Sequence, residues 1–208
     1  HLSSIGTAVA ALMIALSASV GVAVMVESMR DAVGTWLDDL LTAARAEAGT
    51  LVIAPEALSV RKLVGEVLSS HSGRVDFAMD EDLELWADSG RVRQILRNLL
   101  TNAERYGGSI VMIQVSRDGE SVRIEVRDNG DGVPVHLRDH VFEPYARAKN
   151  SATQPASVGL GLSVARQLAQ LMNGDLELGD DEEWTVFTLN LPMRAEPPER
   201  RTPAAAAS

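Results

Sequence analysis

Cysteine is absent from the 208 residues, which excludes a disulfide framework, a thiolate nucleophile and a cysteine-ligated zinc site. Aromatic residues make up only 4%. Basic residues are in deficit, 19 against 29 acidic, for a net charge of −10. A general nucleic-acid binder needs the opposite field, so no nucleic-acid partner is expected. The four histidines are scattered, and the two that stand four apart, His136 and His140, fall in a polar stretch with little helical periodicity, which argues against a histidine metal cage. The chain begins at His1 rather than Met and is expected to be a portion of a longer protein. What is present is 46% hydrophobic residues, enough for a real core in one or two compact units.

Residues 5–26 carry no charge, a stretch long enough to span a bilayer. They are rich in Ala, Ser, Gly and Val, with no flanking basic cluster or aromatic belt, and no basic region precedes them as a signal peptide requires. Ile5, Val9, Leu12, Met13 and Leu16 recur at helical spacing. After a weak point at 17–21 the pattern resumes through Val26, Met29, Val33, Leu37, Leu40, Leu41 and Ala44, and Gly49 supplies a C-cap. This predicts a helical hairpin over 1–52, dimerising into a four-helix bundle to cover its apolar faces, rather than a membrane span. A compact α/β unit is expected over 53–193. It comprises a helix capped by Ser59, strands at 74–79 and 83–87, and a helix over 89–106 burying Val92, Ile95, Leu96, Leu99, Leu100 and Ala103. A hairpin turning at Asp118-Gly119, a polar stretch over 133–158 with a short helix in it, a helix over 160–172 and strands at 175–178 and 185–191 complete it. A stretch of that length is read as a functional lid. The tail over 194–208, with its Pro and Ala runs, is expected to be disordered.

Three clusters carry chemistry. Asn98 and Asn102, four apart on the strong helix, share one face, and their carbonyl oxygens suit Mg²⁺; alone, they read better as a solvated polar face. Asp128-Asn129-Gly130-Asp131-Gly132 follows a strand. A carboxylate there can accept from an exocyclic amine, although Asn-Gly and Asp-Gly also make ordinary turns. Gly159-Leu160-Gly161-Leu162 opens a helix, where free amides make an anion site.

In this order the clusters point to a family. The run from Gln94 to Tyr106 resembles the N box of sensor histidine kinases, and 128–132 their first glycine box. Val141-Phe142-Glu143-Pro144-Tyr145 is similar to the Phe box, and 159–162 to the second glycine box. Residues 37–49 resemble the second helix of the dimerisation and phosphotransfer hairpin. The resemblance covers about residues 22–192. It implies an α+β protein in which the helical hairpin precedes a sandwich of a mixed sheet with helices on one face, the ATPase fold shared with gyrase, Hsp90 and MutL.

By resemblance, Asn102 ligates Mg²⁺ with Asn98 beside it, Arg105 contacts phosphate and Tyr106 lines the adenine pocket. Asp128 accepts from the adenine amine, Gly130 and Gly132 shape the pocket, and the backbone at Gly159, Leu160, Gly161 and Leu162 meets the phosphates. Arg147 and Lys149 reach the terminal phosphate or are solvated loop charges. Asn rather than Glu at 98 is unlike the ATP-hydrolysing clamps of the family. Ser157 stands where the second glycine box usually opens with Gly. The phosphoacceptor is the largest departure. His1 is the candidate, but Leu2 follows it and Gly6 stands where the family has Pro, and an alternative register puts Ser3 at that position. His71, His136 and His140 read as surface or lid residues. The resemblance thus implies a cytoplasmic, homodimeric kinase core that uses Mg-ATP to phosphorylate a histidine and passes the group to a response regulator receiver domain. A full-length protein attached to a membrane is compatible with that. The alternatives are a degenerate nucleotide-binding scaffold and an ATPase clamp.

Overall fold

The computed structural model describes residues 2–144, 159–180 and 183–193, with many side chains in the first two-thirds of the N-terminal helix excepted. That helix, α1, runs unbroken over Leu2–Glu47, about 69 Å at 1.5 Å per residue. The expected hairpin turn at 17–21 is therefore not formed. No proline interrupts the segment, and the Ser17 hydroxyl donates to the Met13 carbonyl one turn back at 2.8 Å, so the serine serves the helix instead of a turn. A lone Gly21 costs about 1 kcal/mol, too little to break a long helix. α1 ends as expected at Gly49, whose φ of +64° lets the Thr50 amide return to the Arg45 carbonyl at 2.9 Å. Among the described residues no helix is long and apolar enough to cross a membrane.

A short strand β1 (Glu56–Ser59) pairs antiparallel with β3 (Glu84–Ala87). Ser59 then caps α2 (Val60–Ser69) by accepting from the Lys62 amide at 3.3 Å. A five-stranded mixed sheet has the order β2-β4-β5-β7-β6, with strands Asp76–Met79, Val111–Asp118, Ser121–Asp128, Thr185–Pro192 and Asp175–Asp180 respectively. Only β2 and β4 are parallel. Between them the chain crosses through α3 (Ser89–Tyr106), which begins where Asp88 accepts from the Gly90 and Arg91 amides at 3.0 and 3.1 Å. After the short α4 (Val135–Arg138) comes α5 (Gly161–Leu171), packed beside α3.

Strand register places the core. Ile113 opposes Val126, which opposes Phe187; Val115 opposes Ile124, which opposes Leu189 and then Leu176. All are buried. With the apolar faces of α2, α3 and α5 they form one cluster, and the six α3 residues expected to be inward are inward. The alternate β5 positions, Arg123, Glu125 and Arg127, face away from it. The sheet thus carries helices on one face and polar residues on the other, in an α+β fold.

Candidate active site

The site begins where strand β5 ends. Its inward alternation puts Asp128 on the core side, only 3% exposed and opposite Thr185 of β7. Its partners are neutral: the Gly130 amide donates to Oδ1 at 3.1 Å, and the Thr185 side chain is hydrogen-bonded to it. Burial pushes the carboxyl above its usual range, and those two bonds only partly offset it. A carboxylate so placed is suited to a neutral N–H donor such as an aromatic amine. Beside it a small cleft of about 90 Å³ is lined by Gly130, Gly132, Val133, Trp184 and Thr185.

Close backbone approach locks this corner to the end of α3. A Cβ on Gly130 would lie 2.6 Å from the Tyr106 carbonyl oxygen and 2.7 Å from the Gly107 Cα. One on Gly107 would lie 2.9 Å from the Asp128 Cγ. The Asn129 side chain accepts from the Ile110 amide at 2.8 Å, tying the same two turns together. Gly107, Gly108 and Thr185 escaped the sequence reading, although a Gly-Gly pair ending a helix was a signal for such an approach.

The second corner is α3 itself. Asn98 is 8% exposed, Asn102 and Arg105 are half-buried, and Tyr106 is 48% exposed at the helix end. Asn98 Nδ2 donates to the Gly161 carbonyl at 3.1 Å and to Asp39 Oδ1 of α1 at 3.3 Å. The atom Asn98 can offer a ligand is therefore its carbonyl oxygen. The third corner is the start of α5. Leu160, buried, precedes the helix with no side-chain cap bond, so the first-turn amides at Gly161 and Leu162 keep their donor capacity. Gly159 and Gly132 both adopt positive φ, +75° and +77°. Gly161 packs on Asn98, a Cβ there lying 3.5 Å from the Asn98 Cγ. The structure thus joins Asn98 to the second glycine box directly, and the α3 end to Asp128 and Gly130.

Phe142 anchors the chain beyond α4. Its ring meets Phe187 edge-on at 6.2 Å, and the Arg166 guanidinium lies 4.8 Å from its centroid. His71 is not the surface residue expected: its side chain is 13% exposed, with Nε2 3.2 Å from Glu104. His1, Arg147, Lys149, Ser157 and the tail at 194–208 lie outside the described residues.

Among the described residues no group of three or more His, Cys, Asp or Glu side chains could hold a metal by itself. Amide oxygens such as those of Asn98 and Asn102 fit a hard cation that keeps its waters and is held mainly by phosphates.

Comparison with known proteins gives a consistent picture. Residues 87–195 match the family of histidine kinase-, DNA gyrase B- and HSP90-like ATPases. The signal transduction histidine-protein kinase AfsQ2 of Streptomyces coelicolor is 32% identical over 165 residues, covering 78% of this chain and 31% of that protein. The sensor protein TorS of Escherichia coli is 33% identical over 173 residues, covering 77% and 19%. The chain therefore spans less than a third of the length of these relatives. Among solved structures, full-length ShkA in complex with AMPPNP aligns with a TM-score of 0.62 at 26% identity, over 76% of this chain and 35% of that one. The Acinetobacter baumannii histidine kinase AdeS shares the fold, with a TM-score of 0.62 at 21% identity over 76% and 77%.

Proposed function

Because the chain belongs to the histidine kinase-, DNA gyrase B- and HSP90-like ATPase family, with sensor histidine kinases as its relatives, we propose that it is the catalytic portion of a two-component sensor kinase. It binds Mg-ATP, transfers the γ-phosphoryl group to a histidine and supplies it to an aspartate of a response regulator receiver domain. The observation that carries this reading is Asp128: a buried carboxylate at a strand end, held by neutral donors beside a glycine-shaped cleft. Asp128 accepts from the adenine amine, and Gly130 and Gly132 let the ring approach. Tyr106 covers the pocket and Arg105 pairs with phosphate. The Gly159–Leu162 backbone donates to the phosphates at the helix N-terminus. Asn102, with Asn98 beside it, holds Mg²⁺, which neutralises phosphate charge when bound. Arg147 and Lys149 approach the terminal phosphate.

The neutral imidazole of the acceptor attacks the γ-phosphorus. A P–N bond forms, the bond to the bridging oxygen breaks toward ADP, and the imidazole proton passes to water. Positioning and charge neutralisation supply the catalysis. The proposed acceptor is His1, and the proposed dimer forms through α1, each protomer giving one long helix. Val20, Val24, Met25, Val33 and Leu37 of α1 are exposed and apolar, as an interface would require. The proposed location is cytoplasmic. A second reading, a nucleotide-binding regulatory scaffold without autokinase activity, is favoured by one observation: α1 contains no histidine.

Incubation with γ-labelled ATP and Mg²⁺, beside His1→Ala and Asn102→Ala, separates the two. Acid-labile label lost in both variants establishes the autokinase with His1 as acceptor. Label surviving His1→Ala moves the acceptor. Tight ATP binding without label, weakened in Asn102→Ala, establishes the scaffold.

A further inference from the structure

Where α1 passes α3, four polar side chains are each more than nine-tenths buried: Asp39 and Thr42 from α1, Gln94 and Asn98 from α3. Asp39 Oδ1 accepts from Gln94 Nε2 at 2.9 Å and from Asn98 Nδ2 at 3.3 Å. Gln94 Nε2 also lies 3.4 Å from the Thr42 hydroxyl, and its oxygen accepts from Arg91 at 3.1 Å. These partners fix which way each amide points. A flipped Asn98 would turn its oxygen against two acceptors, the Asp39 carboxylate and the Gly161 carbonyl. None of this was visible as a motif, since Asp39 reads from the sequence as one of the charged residues on the water-facing side of the helix.

We propose that Asp39 is a positioning residue for the nucleotide site: by holding the Asn98 amide nitrogen it aims the Asn98 carbonyl oxygen at the phosphate and cation end of a bound nucleotide, so that end of the site depends on where α1 lies. The inference rests on the nucleotide-binding role proposed above. It makes α1 more than a dimerisation strut, because any displacement that withdraws Asp39 leaves the Asn98 amide held by the Gly161 carbonyl alone. By linkage, a nucleotide that selects the oriented amide also favours the docked position of α1. Burial pushes the Asp39 carboxyl above its ordinary range against the pull of the Gln94 and Asn98 amides. The charged groups around it are Asp38 and Arg45 from α1 and Asp88, Arg91 and Arg97 from the start and exposed face of α3.

The test uses calorimetric titration of the full chain with the non-hydrolysable analogue AMPPNP, once with Mg²⁺ and once with EDTA. Asp39→Ala is expected to weaken binding in Mg²⁺ about three- to tenfold, one hydrogen bond's worth, while affinity in EDTA stays within about twofold. Asp39→Asn keeps an oxygen to accept from Gln94 and Asn98, and so restores most of the magnesium-dependent affinity. Asp38→Ala, one residue away and exposed, leaves both values unchanged. Equal losses with and without Mg²⁺ would make Asp39 a mere buttress and overturn the inference, as would Mg²⁺ binding unaltered in Asp39→Ala. If the unsubstituted chain bound no nucleotide at all, the proposed function would fall together with this inference.

Discussion

Replacing Gly130 with alanine tests the interlocked turns that hold Asp128. The new methyl would sit 2.6 Å from the Tyr106 carbonyl oxygen, 2.7 Å from the Gly107 Cα and 2.9 Å from Asp128 Oδ1. Carbon atoms in proteins pack at about 3.5–4.0 Å, so the overlap approaches 1 Å, and the first two obstacles are backbone that cannot swing aside. Overpacking of this kind costs about 1–3 kcal/mol. At roughly 2–4 °C per kcal/mol for a domain of this size, the midpoint of thermal unfolding should fall by about 2–12 °C. Relief requires the 128–130 turn to move away from α3, which draws the Gly130 amide off Asp128 and disorients the carboxylate. Affinity for an adenine nucleotide should therefore fall as well, by about tenfold, equivalent to one hydrogen bond to a charged group. The control is Gly119→Ala in the β4–β5 turn, where φ is +61° and nothing lies within 4 Å of the added methyl. It should cost about 1–2 kcal/mol of backbone strain and leave affinity alone. Scanning calorimetry with titration of AMPPNP measures both quantities. An unchanged midpoint in Gly130→Ala, or an affinity loss in Gly119→Ala as large as in Gly130→Ala, would refute the reasoning.

Two further outcomes follow from charge. Burial raises the Asp175 carboxyl, but hydrogen bonds from Arg166, the Leu176 amide and Gln170, with the Arg166 charge, outweigh it and hold it below its ordinary value of 3.8. Its stabilising contribution is thus present above that value and lost as pH falls through the depressed one. Asp175→Asn should lower stability by about 1 kcal/mol or less at neutral pH, given the exposure of the pair, and flatten the urea-midpoint profile below pH 4; an unchanged acid limb contradicts this. At the exposed His140, the hydrogen bond and charge of Glu143, 2.8 Å from Nδ1, raise the imidazole above its ordinary 6.5. That contact is complete below the ordinary value and fades as pH rises through the raised one. In an NMR titration Glu143→Gln should bring the His140 midpoint down, and a midpoint that stays put would remove the pair.

Helix α3, its inward face and the β4–β5 hairpin were legible in the sequence because each is specified by local chemistry. Apolar residues at steps of three and four, a clean alternation over Val122, Ile124 and Val126, and Asp118-Gly119 at the turn leave few alternatives. Strand ends moved by a residue or two, as backbone pairing rather than composition defines them. The helix start at Gly161 was legible because apolar residues at helical spacing follow it. What escaped was decided at a distance. β1 is four residues without alternation and exists because β3 lies beside it. α1 stays unbroken through Ser17 and Gly21, where weak propensities invited a turn. Asp39 meets Gln94 and Asn98 across more than fifty positions, a pairing that spacing along one helix cannot reveal. Asn98 itself was read toward a ligand, whereas its nitrogen is occupied by α1 and α5.

The strand order has a consequence for assembly during synthesis. β5 meets β4 at once, across a turn that closes in microseconds. Its other edge waits for β7, since Asp128 opposes Thr185 and Ser121 opposes Pro192. A chain emerging from the ribosome at about 5–20 residues per second leaves that edge, with its unpaired amides, open for several seconds. The Asp128 end of β5 is then completed only when β7 arrives. Truncations short of β7 should therefore yield an aggregating protein rather than a merely less stable one.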